Sequence, residues 1–208
     1  MYLHLSEMKY KDINFVEDGT YDYFGSEFCH EEMVRNHSLW LFSPNKSKYR
    51  SLFKRVNKIQ LDNDLKYKMM NLFPEINSTL KGISKDTPVV FTSPIKEDFG
   101  FNSFNKEVLY FIEKNYSGQE VILKKHPRDM CNYSSNCVKF IETSKELPGQ
   151  LLNLIFNGDK IYFFPSTVAL MSDDLSKTKV IQSSNCTNEQ YNNFYSEVKD
   201  SVGKIVRI

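Results

Sequence analysis

Apolar positions in the second half of the chain fall into short runs of two kinds, and the two kinds alternate. Pro88-Val89-Val90-Phe91-Thr92 is continuous enough to predict a buried strand, whereas Asn102 to Tyr116 carries apolar residues at helical spacing and predicts an amphipathic helix stopped near Gly118. Val121 to Leu123 predicts the next strand and Val138 to Ile141 a third. Pro148 to Phe156 reads as a helix opened by proline, and Lys160 to Phe164 as a fourth strand. Val180 to Ser183 gives a fifth strand and Asn188 to Lys199 another helix. Strands separated by helices predict an α/β domain on a parallel, Rossmann-like sheet with helices on both faces.

The first 86 residues are richer in charge and less regular. Ile13 to Val16 predicts a strand ending at Glu17-Asp18-Gly19, and Lys58 to Leu61 another ending at Asp62. Two strands do not close a domain. The polar stretch Ser78 to Asp86 contains Gly82 and precedes Pro88, which places a linker there and divides the chain into 1–86 and 87–208.

At 208 residues, with 40% hydrophobic and 14% aromatic side chains, the chain can bury a sizeable core. Its 27 Lys and Arg nearly balance its 26 Asp and Glu. That balance argues against a dedicated duplex-binding protein, so no nucleic-acid partner is expected and any basic site must be local. Cys29, Cys131, Cys137 and Cys186 form no CxxC pair, and neither a signal-peptide core nor a long apolar span is visible. These features predict reduced thiols in a cytoplasmic protein. Neither the cysteines nor His4, His30 and His37 stand at metal-ligand spacing, so no metal site is expected. The stretch Lys46 to Arg55 mixes cations with Tyr49, Leu52 and Phe53. It fits a solvated helix face with its apolar residues packed inward, or a surface for anionic lipid.

Candidate chemistry collects at three strand ends: Glu17-Asp18-Gly19, Lys124-Lys125-His126-Pro127-Arg128 and Pro165-Ser166-Thr167. Ligands of open α/β sheets bind at such ends. A carboxylate there can take a proton from a hydroxyl, and the glycine after it leaves room for a substrate. Proline biases the residue before it toward an extended backbone, so His126 should sit at the last pleat of its strand or just past it. Beside Lys125 and Arg128, that histidine can hydrogen-bond a phosphate or protonate a leaving group. Ser166 and Thr167 can cap a helix while their hydroxyls bind phosphate oxygens. Taken singly, Asp18-Gly19 is an ordinary turn, His126-Pro127 a loop start and Ser166-Thr167 an N-cap. The order and placement of all three carry the argument.

That succession of an acidic pair with Gly, a Lys-x-His-Pro and a Ser-Thr pair after an apolar strand resembles the bacterial sialyltransferases of the lipooligosaccharide and capsular polysaccharide type, polysialyltransferases included. The likeness runs from about Ile13 to Ile181 and lies in the combination of motifs. It implies a GT-B fold of two Rossmann-like domains, CMP-sialic acid as donor, a glycan acceptor, inversion at the anomeric carbon and no metal or other cofactor. Asp18 would be the general base, with Gly19 beside it, and His126 the phosphate-side general acid. Ser166 and Thr167 would hold the same phosphate, while Lys125, Pro127 and Arg128 complete that side. The family's Pro-x-Glu, which binds ribose, corresponds here to Pro148-Gly149-Gln150. Gln150 is a neutral and weaker acceptor than a carboxylate. The resemblance also implies that 1–86 matches only the last part of the first domain and 87–208 a complete nucleotide-sugar domain. Either another chain, such as a second copy, completes the cleft, or the chain is a truncated relative that keeps its donor-binding half. The family's acceptors imply a cytoplasmic protein with peripheral contact at the inner face of the cell membrane.

Overall fold

A computed structural model describes residues 14–16, 38–41, 45, 51, 53–59, 67–68, 71–73, 76, 78–164, 167–170, 175–198 and 204–208. The chain forms two compact units, Met1–Leu61 and Asp62–Ile208.

In the first unit, β1 (Asn14–Val16), β2 (Ser38–Leu41) and β3 (Arg55–Lys58) make a parallel sheet in the order β1-β2-β3. The sequence pattern points to β1 but passes over β2, the strand that pairs with both others. In β2, Leu39 and Leu41 are buried while Trp40 between them is partly exposed, the period-two alternation of a half-covered strand. The strand expected at Lys58 to Leu61 lies earlier, at Arg55–Lys58. The Ile59 N–H still bonds to the Leu41 carbonyl at 2.8 Å, so the ladder runs one residue past β3. Phe53 is buried and Lys54 exposed just before β3, whereas 46–50 and Leu52 of the basic stretch lie outside the described residues.

The second unit is built on a six-stranded, wholly parallel sheet. Its strands are β4 (Val89–Phe91), β5 (Glu120–Lys124), β6 (Lys139–Glu142), β7 (Lys160–Tyr162), β8 (Thr178–Gln182) and β9 (Lys204–Arg207). Their order is β6-β5-β4-β7-β8-β9. The chain winds outward from β4 to β6, returns to the centre at β7 and winds outward the other way. This is the order of a doubly wound Rossmann-like sheet, and its switch point lies between β4 and β7. The central strands are buried on nearly every residue, as parallel strands covered on both faces must be. The edges, β6 and β9, keep charged residues exposed at both ends, which discourages pairing with further strands. β9 was not foreseen: its two apolar residues between cations resemble any exposed segment until β8 supplies an edge to pair with.

Helices of this unit include α1 (Ile95–Phe99), α2 (Phe104–Tyr116), α3 (Gly149–Ile155), α4 (Thr167–Leu170) and α5 (Glu189–Val198). α2 buries Phe104, Val108, Phe111, Ile112 and Tyr116, one face of a 3.6-residue period. Phe104 and Phe111 both meet the Phe163 ring edge-on at 6.0 Å. Gly118 then turns the chain into β5 at φ 75°, a conformation side chains disfavour. α5 places Tyr191 and Tyr195 four residues apart on one face. Tyr191 Oη accepts the Ser183 N–H at 2.9 Å and Tyr195 donates to the Ile181 carbonyl, which pins the carboxyl end of β8. At the opposite edge of the sheet, Asp159 accepts hydrogen bonds from Tyr116 at 2.9 Å and Lys179 at 2.6 Å.

The stretch expected to be a linker, 78–86, is turn-rich but belongs to this unit. Ile76 and Leu80 are buried, and the Asn157 N–H bonds to the Lys85 carbonyl at 2.6 Å.

Candidate functional site

The site is built at the carboxyl edge of the six-stranded sheet, on both sides of β4. Register puts Phe91 of β4 opposite Lys124 of β5 and Tyr162 of β7, so Thr92, Lys125 and Phe163 follow directly as the strands end. The Phe91 and Tyr162 rings stack at 4.6 Å across the switch point. His126 therefore stands just past the end of β5, as proline at 127 requires.

The loop after β5 folds on itself. The Asp129 N–H bonds to the His126 carbonyl at 2.9 Å, closing a tight turn over His126, Pro127, Arg128 and Asp129. Asp129 is fully buried. One of its oxygens accepts from the Thr92 hydroxyl and from Tyr133 Oη at 3.1 Å, and the other accepts the Cys131 N–H at 2.9 Å. The Thr92 oxygen in turn accepts the His126 N–H at 3.4 Å. A carboxylate can be buried only with such partners, and here it joins the end of β4 to the loop after β5.

The main-chain groups of the loop find partners within the protein. The N–H of Arg128 goes to His126 Nδ1 at 3.2 Å, that of Met130 to Glu97 at 3.3 Å, and those of His126, Asp129 and Cys131 are committed as above. Pro127 has none. The loop's carbonyls face lysines: Lys124 bonds to that of Lys125 at 2.8 Å, and Lys145 to those of Asp129 at 2.9 Å and Pro127 at 3.4 Å. From His126 to Cys131 every N–H is thus engaged within the protein, and this stretch offers no nest of free N–H groups for an anion.

The ring is half-buried, and its proton affinity is set by that position. Burial lowers its pKa below the usual 6.5 and the Arg128 charge lowers it further, against the opposing pull of Asp98. Burial and the Arg128 charge both favour the neutral ring. Because Nδ1 accepts the Arg128 N–H, a neutral ring carries its proton on Nε2, where it can serve as a hydrogen-bond donor.

The neighbouring cations are engaged. Arg128 forms a two-pronged pair with Asp98 at 2.7 and 3.0 Å, and Lys125 lies 3.7 Å from Glu142 and 5.9 Å from the centre of the Tyr133 ring. The positive potential expected from Lys125 and Arg128 is thus partly cancelled by α1 and β6.

On the other side of β4, Thr167 opens α4 after β7, and Gln150 is the second residue of α3. The two helices are tied together. Asn153 of α3 donates to the Val168 carbonyl at 2.8 Å and accepts from Tyr162 Oη at 2.7 Å. Since β4 separates β5 from β7, His126 and Thr167 belong to strand ends about 10 Å apart, two inter-strand spacings. One phosphate touching both would lie over the end of β4. Pro165, Ser166 and the side chain of Thr167 lie outside the described residues. So do Glu17, Asp18 and Gly19, which follow the end of β1 at Val16.

Thr92, Asp129 and Tyr133 were missed by sequence reasoning. The signal that was present is an acid three residues after His126 in a stretch of cations, and it reads equally well as a solvated charge. Glu97, Asp129 and Cys131 bring potential metal-ligand atoms within 4.8 Å of one another. Their hydrogen bonds already use these carboxylates, and burial and then the Asp129 charge push the Cys131 thiol up, so it stays protonated. Those bonds brace the loop, and a thiol held in its protonated form is a poor nucleophile. Cys131, Cys137 and Cys186 are free thiols.

Fold and site together define an α/β protein with a doubly wound parallel sheet and a histidine-centred cluster at its carboxyl edge. Compared with protein-family models, curated proteins and solved structures, the chain matches none. No described helix is long and apolar enough to cross a membrane.

Proposed function

We propose that the chain is a GT-B-type glycosyltransferase. It transfers sialic acid from CMP-sialic acid to a sugar hydroxyl of a lipooligosaccharide or capsular polysaccharide, with inversion and without a metal. The observation that carries this reading is the half-buried His126 ring just past the end of β5, with its Nδ1 accepting the Arg128 N–H, an arrangement that favours a neutral ring with Nε2–H as donor.

In this scheme Asp18 takes the proton of the acceptor hydroxyl as its oxygen bonds to the anomeric carbon. The bond to CMP breaks and its electrons pass to the phosphate. His126 Nε2–H donates a hydrogen bond to that phosphate and stabilises the charge that develops on it as CMP leaves, while the acceptor's proton stays on Asp18. Ser166 and Thr167 add donors from the β7 side, and Gln150 accepts from the ribose. Calorimetry with CMP tests the site, and release of CMP from CMP-sialic acid in the presence of acceptor tests the reaction. Asp18→Asn and His126→Ala should each lower turnover by ~10²–10⁴-fold. Turnover that survives both substitutions refutes the scheme.

A second reading, nucleotide binding without turnover, is favoured by the pairing of Arg128 with Asp98 and of Lys125 with Glu142. Cations held by carboxylates stabilise a departing phosphate less well. CMP binding with no release from the donor would select it.

A further inference from the structure

We propose that Asp129, gripped by Thr92, is a positioning residue that fixes which ring nitrogen of His126 faces a ligand. The inference rests on His126 as the phosphate-side donor and adds the device that sets its geometry.

The chain of contacts is short. The Thr92 hydroxyl at the end of β4 donates to Asp129, and its oxygen also receives the His126 N–H at 3.4 Å. Asp129 is the last residue of the turn whose N–H closes on the His126 carbonyl at 2.9 Å. Closing that turn brings the Arg128 N–H to His126 Nδ1 at 3.2 Å. One donor on Nδ1 excludes a proton there, so the neutral ring carries it on Nε2. Asp129 thus acts on the ring through the backbone, without touching it.

Two features set this apart from ordinary loop bracing. Asp129 is the acid that closes a stretch of cations, and it is fully buried. A buried carboxylate with all its partners makes a rigid network, and loosening one member loosens the rest. The network also spans two strands. Thr92 directly follows β4, which borders the switch point, so the histidine is registered against the strand end over which a bound phosphate would lie.

Nitrogen-edited NMR of the His126 ring tests this on the full chain without any ligand. The wild type should show the single neutral tautomer protonated on Nε2. Thr92→Val should give an averaged mixture of tautomers, and Thr92→Ser, which keeps the hydroxyl, should restore the wild-type signature. Tyr133→Phe removes another donor from Asp129 and should shift the ring part of the way, which keeps the test open if Thr92→Val does not fold. CMP titration of the same proteins forms the second arm. Thr92→Val should weaken binding by about tenfold, the scale of one hydrogen bond to a charged oxygen, with Thr92→Ser near wild type. An identical ring signature in the wild type, Thr92→Val and Tyr133→Phe overturns the positioning role. Failure of the wild type to bind CMP overturns the donor reading instead, and the ring spectra still decide the role of Asp129.

Discussion

Gly158 is the position at which one added carbon should do the most damage. It lies in the turn before β7, against the backbone of the segment that leads into β4. A Cβ there would stand 2.3 Å from the Asp86 carbonyl oxygen and 2.6 Å from that of Thr87. Carbon and oxygen ordinarily approach no closer than about 3.3 Å, so the overlap is close to an ångström and both obstacles are main chain. Neither side can yield easily. The Asn157 N–H bonds to the Lys85 carbonyl at 2.6 Å, and the Val89 N–H to that of Asp159 at 2.8 Å. Separating the segments strains or breaks these bonds at about 1 kcal/mol each, and overpacking adds roughly 1–3 kcal/mol. Alanine recovers only ~0.4–1 kcal/mol by restricting the unfolded chain. The net loss is about 2–4 kcal/mol, which for a chain of this size lowers Tm by roughly 5–15 °C. Thermal unfolding followed by circular dichroism measures it, with Gly149→Ala as the control. At Gly149 the new Cβ would meet the Phe91 ring at 3.2 Å and Val168 Cγ2 at 3.3 Å, side chains that can move by tenths of an ångström. Helix propensity in α3 favours alanine there, so its stability should stay within ~1 kcal/mol of wild type. A Gly158→Ala Tm within about 2 °C of wild type would refute the packing described for this turn.

Asp98→Ala should release Arg128 and tighten CMP binding, while the exposed pair's loss changes stability by less than ~1 kcal/mol; weaker binding would show that this cation is not being withheld. The His126 ring should titrate below 6.5 by NMR, because burial and then the Arg128 charge favour its neutral form. With the folded ring holding its proton less tightly than the unfolded one, its contribution to stability is present above that value and is lost as pH falls through the window below it; His126→Gln should show a shallower decline there. For Asp159, burial raises the carboxyl but hydrogen bonds from Lys179 and Tyr116 outweigh it and hold it below the usual range. Its stabilisation is present above the unfolded carboxylate value and lost as pH falls through the folded one, so Asp159→Asn should cost stability at neutral pH and progressively less in acid; a cost independent of pH would contradict the pairing.

Much of the second unit was legible because parallel strands buried on both faces are continuous apolar runs, and the helices between them bury one face. Val89-Val90-Phe91 and Val121-Ile122-Leu123 could hardly be anything else, and Pro148 and Gly118 mark a helix start and a turn by their own stereochemistry. Boundaries slipped where local signals end. The helix expected from Asn102 begins at Phe104, and α1 before it was not foreseen because five residues carry too little periodicity. β2 and β9 were missed for a related reason: each is four residues long and becomes a strand through the neighbour it pairs with.

The sequence by itself determined the class of the fold, and it placed His126 at a strand end, since proline restricts the residue before it whatever lies around. It could not determine what surrounds the ring. Asp129, Arg128 and Lys125 are neighbours in the chain and look alike as charges on a polar loop. The tertiary structure buries the first against Thr92 and Tyr133, pairs the second with Asp98 and brings the third within ion-pair distance of Glu142. Those partners come from the residue that follows β4, from the loop itself, from α1 and from β6. Proton position and net potential depend on distance in space, and only the order of the strands brings these groups to one edge.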